Sequence, residues 1–254
     1  MHQEYSEYDS FMFAHGAMIR RLLKRIIIGF IIFALIWNYG LKRPVYQKIF
    51  GHKEKTPTEV SAQAVLLDVT GQAKHKTTVE GYDINIKLLK QFYVTARVGY
   101  IDRYDGFWGR FYRNTGDGAN LAYDKIMPQD VTIAYGKMGQ EKNLEKCQIT
   151  NQYRCAIYNC SPGVYNINET ENMHTIAASS AVQAGLDILK KGDVATFEGY
   201  LIYWDTQLPS GRILDFESAI KAGQISHQKA GGRTSHLCLQ LYLTRLSFDG
   251  YVFE

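Results

Sequence analysis

A run of apolar residues near the N-terminus is the strongest pattern in the chain. Residues 26–37 read IIIGFIIFALIW and contain no charged or strongly polar side chain. Extended to Leu41, the run would span roughly 24 Å as a helix, less than the roughly 30 Å hydrocarbon core of a bilayer. Lys and Arg side chains at 24–25 and 42–43 can carry their charges out to the headgroups and make up the difference. The pattern predicts a transmembrane helix over residues 22–41.

A cleaved secretory signal is the alternative interpretation, because a basic segment followed by a short apolar run is typical of one. Residues 38–42, NYGLK, offer no small residues at the spacing that a signal peptidase requires. We therefore predict an uncleaved signal-anchor. Basic residues are slightly more frequent before the run than after it, which favours an N-terminus in the cytoplasm.

The anchor divides the chain into four predicted parts. Residues 1–21 form a cytoplasmic segment, residues 22–41 the transmembrane helix, and residues 42–60 a polar stalk that Pro57 interrupts. Residues 61–254 form an extracytoplasmic β-rich domain. The expected location is the bacterial inner membrane, crossed once, with the C-terminal domain in the periplasm.

A second periodic pattern lies between residues 176 and 189. Apolar residues recur there at helical spacing, and polar side chains share the opposite face. Gly192 can close such a helix, and Asn172 or Thr175 can cap its start. The pattern predicts one packed amphipathic helix, with Asn172 and His174 as a candidate functional corner in or near its first turn.

Three other segments are rich in β-branched and aromatic residues, as strands are. They read FYVTARVGYIDRY at 92–104, DVATFEGYLIYWD at 193–205 and HLCLQLYLTRLSF at 236–248. Gly199 inside the second segment predicts a bend or bulge. The predicted class is α+β, weighted to β, with a curled sheet or small barrel and the one amphipathic helix packed against it.

The distribution of charge limits the partners. Of 29 basic and 25 acidic residues, residues 1–60 hold nine and five, which leaves 20 of each in residues 61–254. A neutral domain lacks the basic surface that duplex nucleic acid requires, so we expect no nucleic-acid partner. The membrane and other envelope proteins are the expected partners.

Four cysteines suggest disulfides rather than a metal site. Cys147, Cys155 and Cys160 lie within fourteen residues, and Cys238 is distant. No Cys-x-x-Cys spacing occurs, and we predict neither metal nor cofactor. In an extracytoplasmic domain Cys155–Cys160 or Cys147–Cys155 could form a disulfide, and four buried thiols are the alternative.

Aromatic and arginine side chains alternate in YIDRYDGFWGRFYRN at residues 100–114. Such side chains can stack on sugar rings or bases and bind anionic groups. Trp108, Arg110 and Tyr112 are therefore candidate ligand-binding residues. The alternative is that the aromatic residues fill a sheet core and the arginines lie at its rim.

Catalysis is a further hypothesis, in the form of an envelope hydrolase. His174 could act as a base with Asp130 or Asp124. The sequence contains no Gly-x-Ser-x-Gly, no His-Glu-x-x-His and no phosphate-binding glycine loop, so nothing fixes a nucleophile. We assign no catalytic residue from the sequence.

Five short segments also carry a resemblance. FYVTARVGYIDRYD, PQDVTIAYGKM, NMHTIAAS, LKKGDVATFEGYLI and SHLCLQLYL follow one another over roughly residues 90–245. In this order they resemble an uncharacterised group of bacterial envelope proteins with a single N-terminal membrane segment. The resemblance implies an envelope location and no activity.

The expected function is that of a single-pass membrane-anchored envelope protein whose β-rich domain binds other proteins, as a component of a membrane assembly. The alternatives are a glycan or small-ligand binding module that uses the aromatic and arginine cluster, and the hydrolase.

Overall fold

The computed structural model describes residues 22–71, 73–104, 119–152, 154–218, 220–221, 224–225 and 238–254. The chain forms two compact units, Met1–Ile49 and Phe50–Glu254. The candidate ligand-binding residues Trp108, Arg110 and Tyr112 lie outside the described residues.

In the first unit, residues 22–36 are helical, Trp37–Leu41 forms a π-helical turn, and helix α1 spans Lys42–Phe50. The apolar side chains of residues 22–36 are exposed, and that of Phe30 is 72% exposed. No helix within the described ranges combines the length and the apolarity that crossing a membrane would require.

The second unit is built mainly from strands. Those described are β1 His52–Lys53, β2 Val65–Leu67, β3 Lys74–Val79, β4 Tyr82–Arg103, β5 Gln129–Ala134, β6 Cys147–Gln152, β7 Cys155–Cys160, β8 Thr170–Ala177, β9 Val194–Gln207, β10 Ile213–Glu217, β11 Ile220–Lys221, β12 Gln224–Ile225, β13 Leu239–Phe248 and β14 Tyr251–Phe253. The helices described are α2 Ala119–Ile126, α3 Glu141–Leu144 and α4 Ser180–Ile188, with a 3₁₀ turn at Ile167–Glu169. The predicted α+β class, weighted to β, is confirmed.

Five strands pair in a closed circuit. β4 pairs with β5, β5 with β8, and β9 with β4, all antiparallel; β8 and β13 run parallel, and β13 also pairs antiparallel with β9. Apolar side chains of these strands, among them Phe92, Phe197 and Leu241, are fully buried. A circuit of this kind leaves no open edge among its five strands.

Gly199 lies where the backbones of β9 and β13 are in close contact. A Cβ atom at this position would clash with the backbone oxygen of Tyr242 on β13. The β9–β13 register shifts nearby, between Leu243 and Arg245. The bend or bulge predicted at Gly199 is therefore found in the partner strand, β13. Glycine is needed at position 199 because the backbones of β9 and β13 are in contact there.

The start of the predicted amphipathic helix was wrong. Asn172 and His174 lie in β8, which is buried between β5 and β13, and helix α4 begins only at Ser180. The side chain of Ser179 caps the helix by accepting a hydrogen bond from the Val182 N–H at 3.1 Å. Pairing with β5 over residues 170–174 and with β13 over residues 173–177 overrides the helical spacing of the apolar residues.

Residues 42–60, predicted as a stalk, contain helix α1 and strand β1. β1 pairs with β14, and the backbone N–H of Glu54 donates to the oxygen of Gly250 at 3.1 Å. The second compact unit begins at Phe50 and so includes this pairing. The sequence did not predict the pairing of β1, because this part of the chain is polar and a two-residue strand is too short to show a periodic pattern.

Candidate functional site

Arg154 is the centre of a buried ionic cluster. It directly precedes β7 and has a φ of 62°, in the left-handed region that residues other than glycine rarely adopt. Its Nη2 donates to Asp130 Oδ1 at 2.7 Å and its Nε to Asp130 Oδ2 at 3.3 Å. Its Nη1 donates to Asp124 Oδ1 at 2.8 Å, and Nη2 also donates to the oxygen of Met127. One guanidinium thus joins β5 to the last turn of α2 and to the residue that follows this helix.

Two tyrosine rings enclose the same guanidinium. Its central carbon lies 4.1 Å from the ring centres of both Tyr104 and Tyr123. A planar cation on aromatic faces is attracted by the negative charge of those faces. Burial raises the pKa of both tyrosines above the ordinary value, so both hydroxyls remain neutral donors.

Asp130 receives donors on both carboxylate oxygens. Tyr104 OH donates to Oδ2 at 2.7 Å, and His174 Nδ1 lies 2.5 Å from Oδ1, in addition to the contacts with Arg154. Burial alone would raise the pKa of Asp130, but the charges and hydrogen bonds of His174 and Arg154 outweigh it and lower the pKa. Asp130 is therefore a buried carboxylate whose charge is fully compensated.

The strand register explains why these groups meet. Asp130 on β5 stands opposite His174 on β8, and His174 stands opposite Gln240 on β13. Directly opposite residues point to the same face of a sheet, so the three side chains form a polar row. Gln240 Oε1 accepts from Trp204 Nε1 at 3.2 Å and from Tyr123 OH at 3.4 Å. His174 uses Nδ1 in this row, and Nε2 makes no hydrogen bond within the described part of the chain.

Two thiols lie at one end of the row. Cys155 Sγ is 3.7 Å from Cys238 Sγ, and Asn172 Nδ2 donates to Cys238 Sγ at 3.4 Å and to the Arg154 oxygen at 2.8 Å. A hydrogen bond from Cys238 lowers the pKa of Cys155 to about 7. The same bond, together with burial, raises the pKa of Cys238 well above its ordinary value.

The disulfide joins Cys147 to Cys160, which is neither of the two pairs expected. The two residues stand opposite each other in the β6–β7 hairpin. Cys155 lies five residues from Cys160 on the same strand, roughly 16 Å away at about 3.3 Å per residue. The side chains of residues 155 and 160 also point to opposite faces, so Cys155–Cys160 cannot form without breaking the strand.

A cavity of about 790 Å³ opens beside this cluster. Its wall combines acidic, basic, aromatic and amide side chains: Asp102, Asp124, Glu217, Arg154, Arg212, His174, Tyr104, Tyr123, Phe216, Asn120, Asn151 and Gln240. The rings of Tyr123 and Phe216 lie 4.3 Å apart, and Trp204 stacks behind Tyr123 at 5.8 Å. Asn151 Nδ2 is buried and has no hydrogen-bond partner among the described residues.

Another cavity, of about 830 Å³, is lined by residues 58–62, 136–137 and 139–142 and by Arg97 and Glu169. Arg97 donates there to the backbone oxygens of Gly139 and Gly192 at 3.0 and 2.9 Å. These bonds join loops to β4. The ion pair described there, between Arg97 and Glu141 at 4.0 Å, has an exposed carboxylate, so the cavity beside Arg154 is the better candidate for a functional site.

The structure unites several residues that the sequence indicated separately. His174 contacts Asp130, Asp124 binds the same arginine, and Asn172 lies beside Cys238 and Cys155. Tyr104 belongs to the aromatic and arginine segment that the sequence indicated, whereas Arg154, Tyr123 and Gln240 were missed. Arg154 has no local motif, and its carboxylate partners lie 24 and 30 residues away in the chain. No group of three potential metal ligands occurs in the described ranges.

Comparison with known proteins identifies no relative: no family model, no curated protein and no solved structure matches the chain. The site is therefore interpreted from its own geometry.

Proposed function

We propose that the unit of residues 50–254 binds a small, neutral, polyhydroxylated ligand, such as one or two sugar units, in the cavity beside Arg154. The observation that carries the proposal is the wall, which places an aromatic face next to amide and carboxylate groups. The buried and unpartnered Asn151 Nδ2 is a donor that a ligand hydroxyl can satisfy.

The charges of the wall favour a neutral ligand. Three carboxylates and two arginines line it, and the guanidinium of Arg154 already binds Asp130 and Asp124. An anionic ligand would have to compete with those carboxylates for Arg154. A hydroxyl group can donate to a carboxylate and accept from an amide, so a polyol suits this mixture of groups.

The aromatic side chains supply the apolar part of the site. Phe216 is a partly buried aromatic side chain at the wall, and a sugar ring presents a face of C–H groups that can stack on its ring. The volume of about 790 Å³ falls within the range of small-molecule sites. Tyr123 is fixed by Arg154, Trp204 and Gln240, so little ordering is needed when a ligand binds.

The binding experiment uses the full-length chain and a panel of neutral mono- and disaccharides. Phe216→Ala removes part of the ring face and leaves the ionic cluster intact, so we expect at least about a tenfold loss of affinity. Tyr93→Ala is the matched control, because Tyr93 is a partly exposed aromatic residue outside the cavity wall. Absence of binding across the panel, or equal affinity of the Phe216→Ala variant and the wild type, would refute the proposal.

A membrane-anchored context is the second part of the proposal. It is supported by the helical conformation and exposed apolar side chains of residues 22–36, and by the Cys147–Cys160 disulfide, which is typical of oxidising compartments. The chain should resist alkaline carbonate extraction from membranes, and protease added to spheroplasts should degrade its C-terminal part. Release by carbonate, or protection from protease, would contradict it. Docking to other envelope proteins stays a proposal, and recovery of the chain without a stoichiometric partner from detergent extracts would count against it.

Hydrolysis of the bound ligand is a second candidate function. The observation that favours it is the His174–Asp130 pair at the cavity wall, with Nδ1 held by the carboxylate. An imidazole oriented in this way can act as a general base on water through Nε2. His174→Gln should then abolish product formation and retain ligand binding, whereas a wild-type protein that binds ligand without product formation would exclude this function.

A further inference from the structure

We propose that Cys155 and Cys238 form a second, reversible disulfide by exchange with a disulfide-bearing partner molecule, and that this bond remodels the wall of the cavity. The two sulfurs lie 3.7 Å apart, and a covalent bond would bring them to about 2.0 Å. Both residues stand at the beginning of strands, Cys155 in β7 and Cys238 directly before β13. The sulfurs therefore have to approach each other by less than about 2 Å in total.

The two thiols are chemically different, as a nucleophile and a resolving thiol must be. The hydrogen bond from Cys238 lowers the pKa of Cys155 to about 7. A large fraction of the Cys155 side chains is therefore thiolate at neutral pH. Cys238 remains protonated, because its hydrogen bond with Cys155 and burial raise its pKa. Cys155 is therefore the thiol that attacks first.

The exchange proceeds in two displacements. The Cys155 thiolate attacks one sulfur of the partner disulfide, that bond breaks, and one thiolate leaves to take up a proton. Cys238 then loses its proton and attacks Cys155 Sγ in the mixed disulfide, and the second partner thiolate leaves. Two cysteine thiols are oxidised to one disulfide, and the partner disulfide is reduced to two thiols, so that electrons and protons balance.

The existing disulfide cannot serve as the partner. Cys147 and Cys160 close one end of the β6–β7 hairpin, and Cys155 begins β7 at the other end. The separation along the strand is roughly 16 Å, far beyond the contact that exchange requires. The two pairs of cysteines therefore react independently.

Oxidation would change the site because Cys238 belongs to its wall. Its sulfur accepts from Asn172 Nδ2 at 3.4 Å and lies 3.5 Å from the Arg154 oxygen. Bond formation removes the thiol proton and draws the sulfur toward Cys155, so both contacts are altered directly beside the arginine. This consequence rests on the proposed ligand-binding function, but the disulfide itself does not.

The test treats the full-length chain with oxidised glutathione and maps every sulfur by differential alkylation and mass spectrometry. The wild type should gain a Cys155–Cys238 bond without a stable glutathione adduct, and Cys238→Ser should stop at the adduct on Cys155. Cys155→Ser should acquire an adduct on Cys238 at least about ten times more slowly, because that thiol is protonated. Retention of Cys147–Cys160 in each variant shows that the hairpin is folded.

Three outcomes would overturn the inference. They are a wild type in which both thiols remain alkylatable, a wild type that keeps glutathione on Cys155, and equal adduct rates in the two serine variants. The mapping needs no ligand, so its result is independent of the sugar-binding experiment. If the bond forms and sugar binds, affinity should differ between the oxidised and reduced protein; if the bond forms and no sugar binds, only the ligand proposal fails.

Discussion

Two arginines in the same unit each bind more than one carboxylate, yet their surroundings differ sharply. The side chain of Arg154 is 14% exposed, and its partner Asp130 is 1% exposed. Arg245 is 27% exposed, and its partners Glu54, Glu198 and Glu254 are between 30% and 56% exposed. Arg154 also contacts two tyrosine rings and the cavity, whereas Arg245 joins the segment after β1 to β9 and the C-terminus.

The contrast shows that the number of ion pairs says little about their role. Exposed pairs gain little, because water and salt screen them and long side chains lose freedom. A buried pair is costly to break, because the charge that remains is buried away from water and has no partner to compensate it. The Arg154 cluster therefore fixes one arrangement of the cavity wall, and the Arg245 cluster mainly ties chain segments together at the surface.

The largest effect is expected from Arg154→Met. Removal of the guanidinium leaves Asp130 and Asp124 without the cation that joins them, and we expect the free energy of unfolding to fall by about 3–5 kcal/mol. Urea denaturation measures the change. Arg154→Lys is the control, because it keeps the positive charge but loses the paired guanidinium hydrogen bonds and the stacking on the tyrosine rings. Its free energy of unfolding should lie between those of the wild type and Arg154→Met. A loss below about 1 kcal/mol in Arg154→Met would remove the distinction between the two clusters.

A smaller effect is expected from Asp130→Asn, and it depends on pH. Because the folded state lowers the pKa of Asp130, its contribution is fully present above the unfolded pKa and is lost as pH falls through the folded pKa. We expect the variant to be less stable by about 1.5–3 kcal/mol at neutral pH and to approach the wild type in acid.

The readout is the difference between the two unfolding curves at each pH, since other groups titrate in both proteins. Glu171 is one of them: burial raises its pKa, so its own contribution is greatest in acid and declines as pH rises. A difference between wild type and Asp130→Asn that is constant from neutral pH into acid would contradict the assignment of Asp130 as a buried carboxylate.

The next prediction concerns the pKa of Cys155 rather than the stability of the protein. The rate of Cys155 alkylation should rise with pH around a midpoint near 7. In Cys238→Ser the midpoint should change, because the hydrogen bond that chiefly lowers the pKa of Cys155 then comes from a different donor. Peptide mapping after iodoacetamide treatment assigns the rate to Cys155. A midpoint at the ordinary cysteine value in the wild type would show that the two thiols are not in contact.

The smallest effect is expected from Arg245→Met. Its pairs are partly exposed, so we expect a loss of about 1 kcal/mol or less, which decreases as salt is added. The loss in Arg154→Met should depend much less on salt, because buried charges are poorly screened. Urea denaturation at low and high salt compares the two. Equal salt dependence in both variants would contradict the comparison.

Part of this architecture follows from local sequence patterns. Strands β4, β9 and β13 have the β-branched and aromatic composition that predicted them, and helix α4 has the expected amphipathic spacing. The helix start was misplaced because β8 is buried on both sides, where alternation of polar and apolar residues disappears. From sequence alone, the polar residues of β8 resemble a helix N-cap. Only the pairing with β5 and β13 identifies them as part of a buried strand.

Only some residues of the site, and none of its contacts, could be predicted from the sequence. His174 with Asp130 or Asp124 could be suggested from residue types, whereas the contact itself depends on the pairing of β5 with β8. Arg154 reaches its partners from a backbone conformation that residue types do not reveal. Four cysteines allow three full pairings, and only the register of the β6–β7 hairpin selects Cys147–Cys160.

Hydrogen–deuterium exchange of the full-length protein with its tightest-binding sugar tests the central claim most directly. The account predicts slower exchange on binding in helix α2, in β10 and at the start of β13, the elements that line the cavity beside Arg154. Slower exchange confined to residues 58–62, 136–137 and 139–142, which line the other cavity, would contradict it.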